Sequence, residues 1–296
     1  MPRDTDPSGP TAAHPRADGA TVHQRADGAF DLEFAHGSRG TVLRHLFQQA
    51  PLRILFPRPE LGDPLVAALV NCAGGLAGGD RLRQAVRLGV GGRATFSTAA
   101  AEKIYRSLGP DTRIATTLGV GAGAILEWLP QETILFDGAR LDRRMRVDLA
   151  AGASLLAAEI LVFGRAARGE TLRHGAVLDA WRIHGPDGGP DGLLWADALA
   201  LEDDIGAMLA APFGFGGAAA AGMVLLAGPE AAAGRDVLRA LPEQAPGGAT
   251  LPRPGLLLGR WLGQASAVRR AVGQAIVALR GGVLGLPARL PRLWTA

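Results

Sequence analysis

The chain has 296 residues, of which 48% are hydrophobic and 20% are charged, and it contains one cysteine. These proportions exclude an intrinsically disordered protein, and a lone cysteine excludes an internal disulfide framework and favours a reducing compartment. No N-terminal signal for secretion is visible, and no apolar run reaches the ~20 residues that span a membrane, so the sequence predicts a cytoplasmic protein.

The positive charge of the chain comes almost entirely from arginine. The formal net charge is +3 and the sequence pI is about 9.9, while Lys103 is the only lysine. Arginine raises the pI through its very high pKa without creating a strong electric field around the protein. Because the basic residues are also scattered along the chain, we do not expect it to bind nucleic acid.

The N-terminal residues contain a near-duplication. "HPRADGATV" (His14–Val22) is followed at once by "HQRADGAF" (His23–Phe30). Two histidines nine residues apart would suit a metal-binding arm, but the Asp-Gly turns and the simple composition favour a solvated tail. The sequence therefore predicts a disordered low-complexity tail over residues 1–29, followed by a single β-rich domain over residues 30–296.

A strand–glycine–strand pattern recurs through the first two thirds of this domain. In each copy a short apolar run reaches a leucine, a glycine follows three residues later, and a second apolar run begins; glycine supplies the tight turn. The copies are Val86–Thr98, Thr116–Trp128 and Val147–Glu159, with leucines at Leu88, Leu118 and Leu149 and glycines at Gly91, Gly121 and Gly152. A spacing of 30 and 31 residues predicts a β-helix-like stack of strands, with ordinary meander or sandwich hairpins as the alternative.

The composition changes near Trp195, where helical signals appear. "PEAAAGRDVLRAL" (Pro229–Leu241) opens with Pro and Glu, as helices often do. "QASAVRRAVGQAIVALRGG" (Gln264–Gly282) places four aliphatic side chains on one helical face, at Val268, Val272, Ile276 and Leu279. Between these two segments, Gly255–Gly263 resembles a strand. The predicted fold is therefore mainly β, with a small helical element near the C-terminus.

The stretch "GGLAGGD" looks at first like a phosphate-binding loop. A P-loop ends in Gly-Lys-Ser/Thr, whereas here Gly79 is followed by Asp80, whose carboxylate would repel a phosphate. The segment that follows also resembles a strand rather than the helix that a dinucleotide fingerprint requires. We therefore interpret the loop as structural, with its turn formed by Gly74, Gly75, Gly78 and Gly79.

Candidate metal ligands are thinly spread. No histidine lies between His45 and His174, and no HxH, HExxH or CxxC motif occurs, so a tightly held zinc or iron site is not expected. Glu159 is the most suggestive carboxylate because its neighbours are apolar, and we expect Arg165 or Arg168 to pair with it. Other acids of the β-rich region are Asp80, Glu102, Glu127, Glu132, Asp137 and Glu170.

Conventional catalytic arrangements are not recognisable. The sequence has no GxSxG motif, and Cys72 has no evident histidine partner. Two other classes of function remain open from the residues alone. A pair of carboxylates on a β-helix would suit a carbohydrate-active enzyme, and the arginines would suit a basic nucleic-acid-binding protein, but no motif identifies either.

Several segments together resemble the UreD (or UreH) family of urease accessory proteins. They occur in the expected order over almost the whole domain, and the third is long and specific: "LVNCAGGLAGGDRL", "TAAAEKIYRS", "LEWLPQETILFDGARL", "EILVFGRAARGE" and "LPRLW". The resemblance implies a β-helix-like fold with a few helices and a non-enzymatic role. It implies a scaffold that acts with UreF and the GTPase UreG to deliver nickel into apo-urease.

The same resemblance implies candidate residues for this role. Nickel(II) would pass transiently, with no tightly bound cofactor, and Asp80, Glu159 and Glu170 are nominated as acids that line its passage because they lie in the family segments. A histidine-poor path suits such transit, because imidazole and thiolate would hold nickel(II) too tightly. Arg165 would pair with an acid or face a partner protein, and neither a membrane nor a nucleic acid is expected as a partner.

Overall fold

The computed structural model describes residues 25–189 and 191–295, which form 18 strands and three α-helices. The strands are β1 (Asp27–Gly37), β2 (Gly40–Gln49), β3 (Leu52–Leu55), β4 (Leu65–Asn71), β5 (Arg81–Leu88), β6 (Arg93–Thr98), β7 (Glu102–Ile104), β8 (Thr112–Val120), β9 (Ile125–Leu129), β10 (Thr133–Leu135), β11 (Arg140–Leu149), β12 (Ser154–Arg165), β13 (Glu170–Thr171), β14 (Ala176–His184), β15 (Leu193–Glu202), β16 (Ala220–Ala227), β17 (Gly247–Arg253) and β18 (Leu256–Gly263). The helices are α1 (Ile205–Ala210), α2 (Ala231–Arg239) and α3 (Ala265–Gly282).

Two sheets carry the fold. Sheet A has the strand order β15-β14-β11-β8-β5-β1-β2, and the main path of sheet B has the order β17-β18-β16-β12-β9-β6-β4-β3. The central strands of both sheets pair in parallel, from β1 to β14 in sheet A and from β4 to β12 in sheet B, and antiparallel strands close both ends. The chain alternates between the sheets, so each successive coil stacks on the one before it. The predicted β-helix-like stack is thereby confirmed as a β-solenoid.

The register of the stack differs from the predicted repeat. Leu88 pairs with Val120, not Leu118, and Val120 pairs with Leu149. The glycines that adopt a left-handed conformation in the three turns are Gly91, Gly123 and Gly152, so the spacing is 32 and then 29 residues. The prediction that Gly121 is the left-handed turn glycine of the second copy was wrong. The letters "LGVG" occur in both of the first two copies, and aligning them shifts the second copy by two residues from its true register. A shift of two leaves every side chain on the same face, so alternation cannot detect it.

An apolar core fills the space between the two sheets. Phe30, Phe96 and Trp128 stack in series, with ring centroids 5.5 Å apart for the first pair and 4.2 Å for the second. All three side chains are buried, and they join β1 of sheet A to β6 and β9 of sheet B. Aromatic rings bury large apolar areas, so this stack contributes strongly to the stability of the fold.

The helices cover the outer face of sheet B. The predicted face of α3 is confirmed, because Val268, Val272, Ile276 and Leu279 are all fully buried in a second apolar cluster. The predicted helices extend a little beyond α2 and α3, and the predicted strand at Gly255–Gly263 corresponds to β18; α1 was not predicted. No helix among the described residues is long and apolar enough to cross a membrane.

A buried charge network ties α3 to the first half of the chain. The guanidinium of Arg280 donates from Nε to Glu127 Oε1 and from Nη2 to Asp63 Oδ1, each at 2.8 Å, and also donates to the carbonyl of Arg289. Burial raises the pKa of Glu127, and the charge of Arg280 opposes that rise. Thr95 donates a further hydrogen bond to Glu127, so each carboxylate oxygen of this buried acid is satisfied.

The predicted low-complexity tail falls outside the described residues as far as residue 24. The first strand begins at Asp27, three residues before the predicted start of the domain at Phe30.

Candidate functional site

The glycine loop lies between β4 and β5 and is held by Asp80. The two carboxylate oxygens of Asp80 accept hydrogen bonds from the backbone N–H groups of Ala26 and Ala77, each at 2.8 Å. Gly74 and Gly79 have φ values of +73° and +95°, in the left-handed region that favours glycine. The side chain of Asp80 therefore fastens the loop to the start of β1.

Two glycines of the same loop allow other chain segments to approach closely. A Cβ at Gly75 would lie 2.6 Å from the ring of Tyr105, whose hydroxyl donates to the carbonyl of Gly74 at 3.0 Å. A Cβ at Gly78 would overlap Ser107 Oγ and lie 2.5 Å from the carbonyl oxygen of Pro110. The glycines therefore serve packing, and no described side chain of the loop is arranged as in a phosphate site.

Replacing Gly78 by alanine is expected to lower the free energy of unfolding by about 1–3 kcal/mol, because the added methyl group overpacks against Pro110. The measurement is the urea unfolding midpoint of the purified protein. Gly248→Ala is the matched control, since a Cβ there meets no heavy atom within 4 Å and the backbone is not left-handed. Equal midpoints for the two variants would contradict this account of the loop.

The most notable polar cluster lies between the two sheets, where Glu159 of β12 faces Arg143 of β11 and Asp179 of β14. Arg143 Nη2 contacts the carboxylates of both acids, and its Nε donates to Asp179 Oδ1 at 3.0 Å. The side chains of Arg143, Glu159 and Asp179 are only 13%, 15% and 2% exposed. The prediction that Arg165 or Arg168 pairs with Glu159 was wrong, because the partner comes from the opposite sheet.

Burial dominates the electrostatics of this cluster. Desolvation raises the pKa of Glu159 to about 8, the nearby charge of Asp179 adds to the rise, and the charge of Arg143 opposes it. The two acids raise the pKa of Arg143, which keeps its positive charge. The guanidinium of Arg143 therefore pairs with two carboxylates. Because one positive charge cannot balance two negative charges in a buried site, Glu159 holds a proton readily near neutral pH.

A cleft of about 540 Å³ opens beside this cluster and is lined by residues of β15, β16 and β18. Its walls are largely apolar, with aromatic contributions from Trp181, Phe215 and Trp261, and an ion pair between Arg260 and Asp197 lies on its lining. The indole N–H of Trp181 points near Glu159 and opposes the rise in its pKa. The two groups are not within hydrogen-bonding geometry, so the buried indole N–H has no hydrogen-bond partner among the described residues. Glu159 and Asp179 thus face a space that a small ligand can enter.

The polar groups continue from the cluster toward a second acid. Arg143 Nη1 donates to Thr133 Oγ1 at 3.0 Å, and Thr133 of β10 pairs in register with Glu102 of β7. Burial raises the pKa of Glu102, whose carboxylate accepts two hydrogen bonds from the amide of Asn71 at 3.1 Å. A line of polar side chains therefore runs from the cleft to Asn71 at the end of β4.

The three acids nominated from the sequence lie in separate places. Asp80 holds the glycine loop, Glu159 lies in the inter-sheet cluster, and Glu170 pairs with Arg165 on the surface, Nε to Oε1 at 3.1 Å. Arg165 also lies over the ring of Phe136, 4.2 Å from its centroid. Within residues 25–189 and 191–295, no group of three or more histidine, cysteine, aspartate or glutamate side chains is placed to hold a metal ion.

Sequence reasoning missed Arg143, Asp179 and Thr133. Asp179 left a detectable signal, because "AVLDAWRIH" alternates and places the acid at an inward position between Val177 and Trp181. An acid at an inward position of a half-buried strand requires a partner. Arg143 left no comparable signal, since β11 carries four arginines within seven residues.

Comparison with known proteins assigns the family. The family model described as "UreD urease accessory protein" matches residues 26–295. A protein named "Urease accessory protein UreD" from Granulibacter bethesdensis is 54% identical over 243 residues, which cover 81% of this chain and 99% of that relative. Proteins of the same name from Methylobacterium sp. (strain 4-46) and Rhodopseudomonas palustris (strain BisA53) are 46% and 45% identical, over 86% and 84% of this chain and 89% and 83% of their own lengths. The chain therefore belongs to the UreD family of urease accessory proteins, and it is an accessory protein rather than an enzyme.

Proposed function

We propose that this chain acts in the cytoplasm as a scaffold through which nickel(II) reaches apo-urease, in a complex with UreF and UreG. Family membership supports a role in urease maturation. The observation that carries the finer proposal is the inter-sheet cluster, in which Glu159 and Asp179 meet at the wall of a cleft while Arg143 balances their charge.

The chemistry of this cluster suits brief contact with a divalent cation. Carboxylate oxygens bind nickel(II) less tightly than imidazole or thiolate. An ion that meets Asp179 and displaces the proton held by Glu159 is therefore attracted and then released as that proton returns. Arg143 supplies a positive charge that stabilises the empty cluster and competes with an arriving cation. The polar line through Thr133 to Glu102 extends the path in the direction away from the cleft.

Replacing Glu159 by glutamine tests this proposal. The change keeps the shape of the side chain but removes a carboxylate from the cleft wall. We expect the nickel content and the activity of urease to fall by at least about tenfold in cells that carry the cognate operon, the size of effect typical of losing a group that orients a metal. Co-purification of the variant with UreF and apo-urease should be unchanged.

Glu132→Gln provides the matched control. Glu132 also pairs with an arginine, Arg269, and its side chain is also 15% exposed, but it does not line the cleft. Urease should therefore mature normally with this variant. Full nickel loading of urease with Glu159→Gln would exclude Glu159 from the path, and an equal loss with Glu132→Gln would show that the effect is not specific to the cleft.

A further inference from the structure

One end of the solenoid consists of β2, the last strand of sheet A, and β3, the last strand of sheet B. Both strands pair on one side only, with β1 and β4 respectively. Every residue of β2 is exposed or half-exposed, although the strand is ten residues long. A long edge strand without proline or a covering element is a template for association, and the terminal coil of a solenoid normally needs a polar cap. We refer to residues 36–58, which form this end, as the β2–β3 end.

The charge at the β2–β3 end has one sign. Between Glu33 and Glu60 the sequence contains no aspartate or glutamate, and residues 36–58 include His36 and His45 besides four arginines. Those arginines are all exposed, and none forms an ion pair within the described residues: Arg39, Arg44, Arg53 and Arg58. Elsewhere the surface is mixed, and most exposed arginines on the outer face of sheet A have an acidic neighbour, as Arg87, Arg144 and Arg146 do. Residues 36–58 therefore combine four exposed arginines, unpaired within the described part of the chain, with no acidic side chain of their own.

Exposed apolar side chains are concentrated in the same place. Ten large hydrophobic residues are exposed in the described chain, and six of them lie between residues 42 and 61: Val42, Leu43, Phe47, Leu55, Phe56 and Leu61. Val42, Phe47 and Leu55 are about half-exposed, at 48%, 49% and 57%. Exposed apolar residues that occur singly need no explanation, but a group of this kind beside an open sheet edge marks a surface that another molecule covers.

The other end of the solenoid differs in charge. There, β15 and β17 are the last strands, and Arg260 of β18 pairs with Asp197 of β15. Arg253 closes part of that edge by donating to the carbonyls of Leu194 and Asp187, each at 2.8 Å. Charges are thus paired within the chain at that end, whereas the four arginines of the β2–β3 end form no ion pair with the described residues.

We infer that the β2–β3 end is the docking surface for an acidic surface of a partner protein, whose carboxylates pair with the four arginines and whose apolar centre covers the side chains around Phe47. Interleaved apolar side chains favour a protein over a nucleic acid, because phosphates would leave Val42, Phe47 and Leu55 uncovered in water. The inference assigns a surface far from the inter-sheet cluster and does not depend on passage of nickel.

The test measures capture of partners by the full-length chain in nickel-free buffer containing a chelator. Cognate apo-urease, UreF and UreG are the probes, a choice that rests on the proposed function. The variant R44E/R53E reverses two charges of the β2–β3 end, and R113E/R182E reverses two exposed arginines on the outer face of sheet A. We expect R44E/R53E to weaken capture of one acidic probe by at least about tenfold, R113E/R182E to leave it unchanged, and high salt to weaken capture by the unmodified chain.

A second variant addresses the apolar part of the surface. F47S/L55S replaces two half-exposed side chains and should also weaken capture of the same probe. The unfolding midpoint should fall only slightly, because neither side chain belongs to the core. If R44E/R53E is poorly folded by circular dichroism, F47S/L55S decides the question alone. Unchanged capture of all three probes by a folded variant overturns the inference.

Two other outcomes also overturn it. If R44E/R53E weakens binding to a short DNA duplex but not to any protein probe, the surface is a nucleic-acid site. If R44E/R53E weakens capture of a protein probe only in a chain that lacks residues 1–24, and not in the full-length chain, the chain's own N-terminal segment occupies the surface. A loss of urease nickel with Glu159→Gln remains a separate result, because capture is measured without nickel.

Discussion

Replacing Arg280 by alanine is expected to lower the free energy of unfolding by about 3–5 kcal/mol. The guanidinium is fully buried, and it pairs with Glu127 and Asp63, whose side chains are also almost completely enclosed. Truncating it leaves the buried carboxylate of Glu127 without its counter-charge, so desolvation strongly disfavours that carboxylate, while Asp63 keeps only its contact with Arg289. The loss also removes one contact of the C-terminal segment, because Arg280 donates to the carbonyl of Arg289.

Urea or thermal unfolding of the purified protein measures this change. Arg83→Ala is the control: Arg83 pairs with Asp27 at 2.8 Å, but both side chains are 56% exposed, so the loss should stay within about 1 kcal/mol. If Arg280→Ala and Arg83→Ala unfold alike, the buried network does not stabilise the fold as described. A variant that combines Arg280→Met with Glu127→Met should recover much of the loss, since two apolar side chains then replace the buried ion pair and no unpaired carboxylate remains at position 127.

Replacing Phe96 by alanine is the second change with a large expected effect, again about 3–5 kcal/mol of unfolding free energy. Phe96 is 1% exposed and lies between Phe30 and Trp128. Its removal opens a cavity between the two sheets and takes away the ring that links Phe30 of sheet A to Trp128 of sheet B. The unfolding midpoint and the fluorescence of Trp128 should both change.

Phe213→Ala is the matched control for that experiment, because Phe213 is fully exposed and its removal should leave the midpoint unchanged. Phe96→Leu should recover part of the loss, since leucine fills much of the same space. A midpoint for Phe96→Ala equal to that of Phe213→Ala would mean that the aromatic stack is not a main source of stability.

The sequence predicted the type of fold well because its signals are local. Alternating strands and turn glycines indicated a stack of strands, and the spacing of Val268, Val272, Ile276 and Leu279 located the buried face of α3. The register was not predictable in the same way. Two registers of β5 against β8 that differ by two residues preserve the same alternation, so the sequence pattern alone cannot distinguish them. The backbone pairing of Leu88 with Val120 and the left-handed φ at Gly123 do.

The candidate site shows a different limit. Glu159 could be selected because it interrupts an apolar strand, but its partner Arg143 lies on the opposite sheet and is 16 residues earlier in the chain. Arg165 is nearer to Glu159 in sequence, but it forms an ion pair with Glu170, five residues later. The short pairing of β12 with β13 places these two residues opposite each other. Proximity in sequence therefore favoured the wrong pair, and contacts across a two-sheet interior cannot be read from local patterns.

The way in which the last residues join the first half of the solenoid has a consequence for folding of the chain. Trp294 donates its indole N–H to the carbonyl of Leu129 at 3.0 Å, the amide of Gln131 donates to the carbonyl of Leu293, and α3 covers the outer face of sheet B. Until α3 and residues 293–294 have docked, the coils already formed leave that apolar face in water. A chain that has formed its coils but not yet docked this segment therefore exposes an apolar sheet face, which makes such an intermediate prone to aggregate.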